Sequence, residues 1–171
     1  MIKKIQVLSR HSFTQVVDDL LQSTPGTIQP WYGISIHGID EDTLLPDDKV
    51  KALSKVGLAA SLSLQFDDID KEYESVPELK LFDDEQAHLL VGFLRLINIG
   101  VDGPLILHCH AGISRSGAVG LFACRYYGLD EERFMRRNPS VYPNRHVLSK
   151  LNEEAQKRKQ GESECQNLIV K

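Results

Sequence analysis

The chain has 171 residues, 42% of them hydrophobic and 26% charged, and it carries a net charge of −4 with a pI near 5.9. This length supports one domain with a core of its own and is short for two, and the composition is that of a soluble globular protein. The acidic balance argues against a polyanionic partner such as nucleic acid, and no apolar run reaches the length a membrane helix needs.

Residues 2–8 read as a first strand, and the apolar run after Met1-Ile2-Lys3-Lys4 is too short for the core of a signal peptide. Ser12, just ahead of Phe13, Val16, Val17, Leu20 and Leu21, reads as the cap of a first helix. Trp31 to His37 reads as a second strand. The stretch from Gly38 to Asp48 holds Asp40, Glu41, Asp42, Pro46, Asp47 and Asp48, and reads as an acidic surface loop or short helical turn with a solvated face. Leu58 to Phe66 alternates, with Leu58, Ala60, Leu62, Leu64 and Phe66 on one side of a strand and Ala59, Ser61, Ser63 and Gln65 on the other. Asp67-Asp68-Ile69-Asp70 and the stretch around Pro77 read as loop. Asp83 and Asp84 open a helix whose buried stripe is Leu90, Phe93, Leu94 and Ile97, ending near Gly100. Pro104 to His108 is a short buried strand. Ser116 to Tyr127 is apolar on nearly every side, as a central helix should be, and Gly128 stops it. Asp130 to Arg137 makes a short helix, and Asn144 caps a last one carrying Val147, Leu148, Leu151 and Ala155.

Strands alternating with helices imply a single α/β domain over residues 1–158, with a central, mostly parallel sheet flanked by helices, and residues 159–171 as a flexible tail. Ligands of such sheets sit at the carboxyl ends of the strands. The three cysteines, Cys109, Cys124 and Cys165, are too few and too widely spaced for a disulfide framework or a zinc site. A reducing, cytoplasmic setting suits them, and there a free thiol can serve as a nucleophile. Cys124, inside the apolar helix, reads as packing.

The segment Pro104-Leu-Ile-Leu-His-Cys-His-Ala-Gly-Ile-Ser-Arg-Ser-Gly117 is strand, loop, helix. A phosphate needs many donors around its oxygens. Backbone N–H groups of a tight loop at a helix N-terminus supply them, and the helix dipole adds to the field. His110, Ala111, Gly112, Ile113, Ser114 and Arg115 would form that phosphate-binding loop between strand and central helix, with Gly112 permitting its backbone conformation. Arg115 can offer a two-pronged fork to phosphate oxygens, which Lys cannot. The same donors favour the thiolate form of Cys109, the nucleophilic form. Ser116 is placed to hydrogen-bond the sulfur and ease its departure.

His108-Cys109, five residues, then Arg115-Ser116, with Ala111-Gly112 inside, resembles the signature of the cysteine-based protein-tyrosine phosphatases. Ala-Gly-Ile-Ser-Arg-Ser leans toward the dual-specificity branch, and Tyr142-Pro143-Asn144 before an amphipathic helix resembles its closing segment. The chain is similar above all to small tyrosine-phosphatase-like proteins of bacteria, with Phe66-x-Asp68-Ile69 upstream and Pro143-Asn144-Arg145 downstream. The likeness runs from about Leu58 to Leu151, and residues 1–57 resemble nothing specific.

The resemblance implies hydrolysis of phosphomonoesters through a phosphocysteine, with phosphotyrosine, and also phosphoserine or phosphothreonine, in proteins as substrate. It implies no metal or cofactor, a phosphorylated protein or small phosphoester as partner, and neither nucleic acid nor membrane. It also implies a general acid just after a strand, two residues beyond the last buried apolar position. With Phe66 at that position this selects Asp68. The segment from Asp68 to Cys109 is longer than the dual-specificity norm by about one loop, so Asp67 stands as the rival. His108 is implied to orient the loop and Asn144 to brace it; His110 sits beside the nucleophile, as a substrate contact or an idle position. Trp31, Tyr32 and Tyr142 read as core or rim packing. Arsenate reduction would want a resolving cysteine near Cys109, and Cys124 lies deep in the next helix. Phosphoinositide hydrolysis would favour lysines in the loop, and there are none between His110 and Ser114.

Overall fold

The computed structural model describes residues 1–169, with side-chain surroundings through residue 161. The order of elements is β1 (Ile2–Ser9), α1 (Arg10–Leu21), β2 (Trp31–His37), α2 (Asp47–Ser54), β3 (Leu58–Gln65), α3 (Asp84–Asn98), β4 (Gly103–Cys109), α4 (Arg115–Tyr126), α5 (Glu131–Arg137) and α6 (Arg145–Ile169). The four strands form one parallel sheet in the order β1-β4-β2-β3. The expected α/β architecture, with a parallel sheet and a loop joining strand to central helix, is the one present.

Helices cover both faces of the sheet. On one side Phe13 and Val17 of α1 and Leu53 of α2 pack with Trp31, Leu45, Val56 and Leu58. On the other, α3, α4 and α6 bring Leu90, Leu94, Ile97, Val119, Phe122, Val147 and Leu151 against Ile34, Ile36, Leu105 and Leu107. A core side chain such as Leu94, fully buried, contributes on the order of 1.5–3 kcal/mol relative to exposure. The largely apolar character of α4 follows from its position. All of Arg115 to Cys124 is buried, because α4 lies between the sheet and its neighbouring helices.

Several boundaries differ from the sequence reading, each for a local reason. The cap of α1 is Ser9, whose hydroxyl accepts the N–H of Ser12 at 3.1 Å, so Ser12 lies inside the first turn. β1 thus runs straight into α1 without a connecting loop. The acidic stretch ends in a full helix, α2, opened by Pro46 and with Asp47 and Asp48 in its first turn, where the helix dipole favours negative charge. Leu58 does not share a face with Ala60. The register with β2 slips between Trp31–Leu58 and Tyr32–Ala60, and that irregularity turns Leu58 toward Trp31 and the second cluster.

The later helices open where expected, each with a cap, and that of the last is Asn144 as read from the sequence. Asp83 and Gln86 form a reciprocal capping box on α3, the Asp130 carboxylate accepts the N–H of Arg133, and Asn144 Oδ1 accepts the N–H of Val147. The last helix runs past residue 158. Lys157, Arg158, Lys159 and Gln160 are helix-favouring, and the Arg158–Glu154 pair one turn apart supports the continuation to Ile169. Val170 and Lys171, the end of the expected tail, lie outside the described residues, and Cys165 lies where side chains are not described. No helix among the described residues is long and apolar enough to cross a membrane.

Candidate active site

Cys109 is the last residue of β4 and Arg115 the first of α4, so the intervening loop sits at the carboxyl end of an inner strand. Two features fix its path. Gly112 has φ +72°, and a Cβ there would lie 2.5 Å from Leu8 C and 2.6 Å from both Leu8 O and Ser9 N. Those are backbone atoms of the β1–α1 junction and cannot step aside, so only glycine fits. The N–H of Arg10 donates to the carbonyl of His110 at 2.9 Å, tying the loop to the same junction.

The sulfur of Cys109 is buried and accepts two donors. The Ser116 hydroxyl donates to it at 3.0 Å and the Gly112 N–H at 3.3 Å. Arg115 is buried as well. Its Nη1 donates to the carbonyl of Phe66 at 2.9 Å, which anchors the guanidinium to the end of β3, while its Nε has no partner among the described residues. A buried guanidinium N–H without an acceptor is costly unless a ligand supplies one.

His108 is buried under the loop, its ring 4.3 Å from that of Phe13. Its Nδ1 lies 3.3 Å from the carbonyl of Cys109, which can only accept, so Nδ1 carries the proton. Nε2 then accepts from the Ser35 hydroxyl at 2.8 Å. Ser35 in turn accepts from Thr43 at 3.4 Å, and Thr43 meets Ser63 at 2.7 Å, a chain of hydroxyls leading outward from the ring. Burial pushes the His108 pKa down to about 4, so the imidazole is neutral.

Asp68 and Asp67 point to different partners. Asp68 Oδ1 accepts the hydroxyl of Ser114 in the loop at 2.7 Å and the amide of Asn144 at 3.0 Å. Asp67 is taken up by backbone: its Oδ1 accepts the N–H of Ile39 at 3.2 Å and its Oδ2 that of Lys80 at 2.8 Å. Asn144 also donates to the carbonyl of Ile69 at 3.1 Å, and its own N–H reaches the Ser114 carbonyl at 3.2 Å. The N–H of Tyr142 donates to the carbonyl of Ile113 at 3.1 Å. Asn144 therefore joins the segment after β3, the Cys109–Arg115 loop and the start of α6. A cleft of about 480 Å³, lined by Asp68, Tyr73, Ser114, Tyr142 and Asn144 among others, opens beside them.

Most residues singled out in the sequence thus meet in one place: Cys109, His110, Gly112, Ser114, Arg115, Ser116, Asp68, His108 and Asn144. Ala111 and Ile113 contribute backbone at its surface. Trp31 and Tyr32 are buried in the core, and Tyr142 stands exposed near the cleft. Cys124 is buried in α4, its thiol donating to the Leu129 carbonyl at 3.6 Å, and burial raises its pKa.

One residue of the site was missed. Glu41, read as part of a solvated face, sets Oε1 2.5 Å from His110 Nδ1 and Oε2 2.8 Å from the N–H of Gly38 and 3.8 Å from Arg115 Nη2. Burial works to raise its pKa, but the Gly38 amide, His110 and Arg115 together hold it below the usual carboxylate range. The one available signal was the placement of an acidic stretch at the carboxyl end of a buried strand.

No protein-family model matches the sequence, and no curated protein does. Among solved structures, human DUSP28 matches with a TM-score of 0.52 at 16% identity, covering 91% of this chain and 94% of that one. Tk-PTP in its active form gives a TM-score of 0.49 at 17% identity, over 88% of this chain and 90% of that one. PTPMT1 in complex with PI(5)P gives 0.47 at 15% identity, over 90% and 91%. The match to DUSP28 runs nearly the length of both chains, and it is a likeness of architecture: this chain shares the fold of that structure.

Proposed function

We propose that the chain is a cysteine-dependent phosphomonoester hydrolase, acting on phosphotyrosine and also on phosphoserine or phosphothreonine in proteins. The observation that carries this reading is the pairing of a buried sulfur, held by Ser116 and Gly112, with a buried arginine whose Nε lacks an acceptor among the described residues. Sulfur and guanidinium belong to one loop that runs into a helix N-terminus, the arrangement that binds and activates a phosphate.

In the first step the Cys109 thiolate attacks phosphorus, and a P–S bond forms as the P–O bond to the leaving group breaks. Arg115 and the loop N–H groups hold the phosphate oxygens. Asp68, hydrogen-bonded to Ser114 at the lip of the loop, delivers its proton to the departing oxygen. In the second step Asp68, now a carboxylate, takes a proton from water as that water attacks phosphorus. The P–S bond breaks, inorganic phosphate leaves, and the Ser116 hydroxyl stabilises the sulfur anion. His108, neutral and fixed by Ser35, supports the backbone of Cys109 without taking part in proton transfer.

The single domain expected over residues 1–158, a cytoplasmic setting, and independence from metal, cofactor, nucleic acid and membrane belong to the same proposal. A loop without lysine favours protein or small phosphoesters over phosphoinositides. The test is hydrolysis of para-nitrophenyl phosphate in the presence of chelator. Turnover should persist, vanadate should inhibit it, and Cys109→Ser should abolish it while phosphate binding remains. Substantial turnover by the Cys109→Ser protein would sink the covalent step.

A further inference from the structure

The Cys109–Arg115 loop has two flanks. Asp68 and Ser114 occupy one. On the other, past Ala111 and Gly112, a trough follows β1 away from the site, and nothing in the proposed reaction uses it. Three clefts compose this trough. The first, about 250 Å³, lies between Ala111 and Gly112 and the segment from Arg137 to Val141. The second, about 320 Å³, follows Lys4, Ile5 and Gln6. The third and smallest is walled by Lys3, Lys4 and Arg133. Arg137 lines all three, which makes them one continuous channel leading from the active-site loop to the start of β1.

β1 is an edge strand, yet this edge is not free for the addition of another strand. The Val7 N–H donates to Oδ1 of the buried Asn138 at 2.8 Å, which closes the middle of the edge. A ligand in the trough is therefore read by side chains. Those side chains are cationic. Lys4, Arg133 and Arg137 are exposed, and none of the three has an ion-pair or side-chain hydrogen-bond partner among the described residues.

The carboxylates of α5 are spent elsewhere. Glu131 takes both nitrogens of Arg125 at 2.9 Å, Glu132 pairs with Arg136 at 3.1 Å, and Asp130 accepts the N–H of Arg133 as the helix cap. Among the described residues no carboxylate lines the first two clefts, and Asp130 alone lines the third. Arg133 and Arg137 are also a like-charge pair one turn apart, an arrangement that costs the isolated helix energy and that an anion between them would offset. The helix dipole accounts for Arg137 in the last turn, but not for Arg133 a turn earlier or for Lys4 across the channel. In a chain of net charge −4, three unpaired cations along one channel form a local exception.

We propose that this trough is a docking groove for an acidic stretch of the phosphoprotein substrate: Arg137, Arg133 and Lys4 hold its carboxylates while the phosphorylated residue sits over Cys109. The inference rests on the phosphatase reading and adds to it a substrate class. Ser9 pairs with Cys109 in the sheet, and Lys4 lies five residues earlier in the strand, about 17 Å away at about 3.3 Å per residue. An extended peptide covers that span in about five residues, so its acidic positions fall roughly three to seven residues from the phosphorylated one. Nucleic acid fits the groove less well, because the aromatic ring that lines it, Phe134, is buried and offers no platform for a base.

The test compares kcat/KM for phosphotyrosine peptides that carry glutamates at those distances with glutamine controls of the same length. One pair has the acidic run before the phosphotyrosine and one has it after, since the trough leaves the site in one direction only. One of the two acidic peptides should exceed its control about tenfold, the sum of three modest surface charge contacts. In the Lys4→Gln, Arg133→Gln, Arg137→Gln protein that ratio should fall close to one. The ratio cancels any change in the chemical step common to both peptides. A parent without a preference for either acidic peptide overturns the proposal, and so does a triple variant that keeps the preference. Should the triple variant fail to fold, salt decides. The parent's preference should shrink severalfold between about 0.05 M and about 0.5 M salt, and a preference indifferent to salt overturns the proposal. If the parent turns over no phosphopeptide, the phosphatase reading fails. Fluorescence anisotropy of a labelled, phosphate-free glutamate peptide then tests the groove by itself, with binding expected and its absence fatal. A single-stranded oligonucleotide that binds more tightly than the glutamate peptide in the same assay overturns the choice of partner.

Discussion

Asp67 and Asp68 are neighbours in the chain with separate duties. Asp67 closes the segment after β3 by accepting two backbone N–H groups, whereas Asp68 reaches the hydroxyl of Ser114 and the amide of Asn144. The two variants should therefore fail differently. Asp68→Asn should lower kcat by roughly 10²–10⁴-fold, the usual worth of a positioned proton donor, with the fold intact. Asp67→Asn should cost about 1 kcal/mol of stability through weakened hydrogen bonds and leave the chemistry largely in place. Steady-state kinetics together with urea unfolding of both proteins checks this, and the reverse assignment would make Asp67 the acid. The sequence singled out both residues but could not separate them, because the choice depends on where Ser114 and Lys80 lie in space. Glu41 was hidden for the same reason. Its partners are 69 and 74 residues away, and no local pattern announces them.

At the level of elements, the sequence spoke most clearly where one residue type satisfies a local rule. The starts of α3 and α5, the cap of α6 and the strand–loop–helix around Cys109 were all legible, since a carboxylate or amide at a helix start and a glycine-containing loop act within a few residues. Asp83→Ala should remove the carboxylate half of the α3 capping box, the acceptor of the Gln86 N–H, and cost about 1 kcal/mol, read as a lower urea midpoint with unchanged turnover. Gly112→Ala should be far more severe. It combines a left-handed backbone, costing about 1–2 kcal/mol for alanine, with a collision against immovable backbone of β1 and α1. Loss of phosphate binding at a temperature where the protein remains folded is the expected sign. What the sequence concealed were the slip between β2 and β3, which a period-two pattern cannot reveal, and the extent of α2 and α6. Those depend on packing, on dipole effects and on pairs one turn apart.

For the whole molecule, the buried His108 couples stability to pH. Its folded pKa, about 4, lies below the value of 6.5 expected when it is exposed. Below pH 6.5 the unfolded chain binds a proton that the folded chain refuses. This group's contribution is therefore complete above pH 6.5, falls as pH drops toward 4, and levels off below that. The full effect is about 3 kcal/mol at 1.36 kcal/mol per pKa unit. Urea unfolding from pH 7 to pH 4.5 should show the decline, and His108→Gln should flatten it by close to one proton. An unchanged slope in that variant would place the acid sensitivity elsewhere.

The strand that ends in Cys109 lies between β1 and β2 in the sheet, although it is the last of the four to leave the ribosome. Until residue 109 has emerged, β1 has no neighbour and β2 presents an open edge, so a growing or truncated chain displays hydrogen-bonding borders that invite pairing with other chains. The sulfur proposed as the nucleophile is thus delivered by the same event that seals the sheet. Fragments ending before Gly103 should stick to chaperones or precipitate, and any molecule able to bind phosphate has already passed that checkpoint.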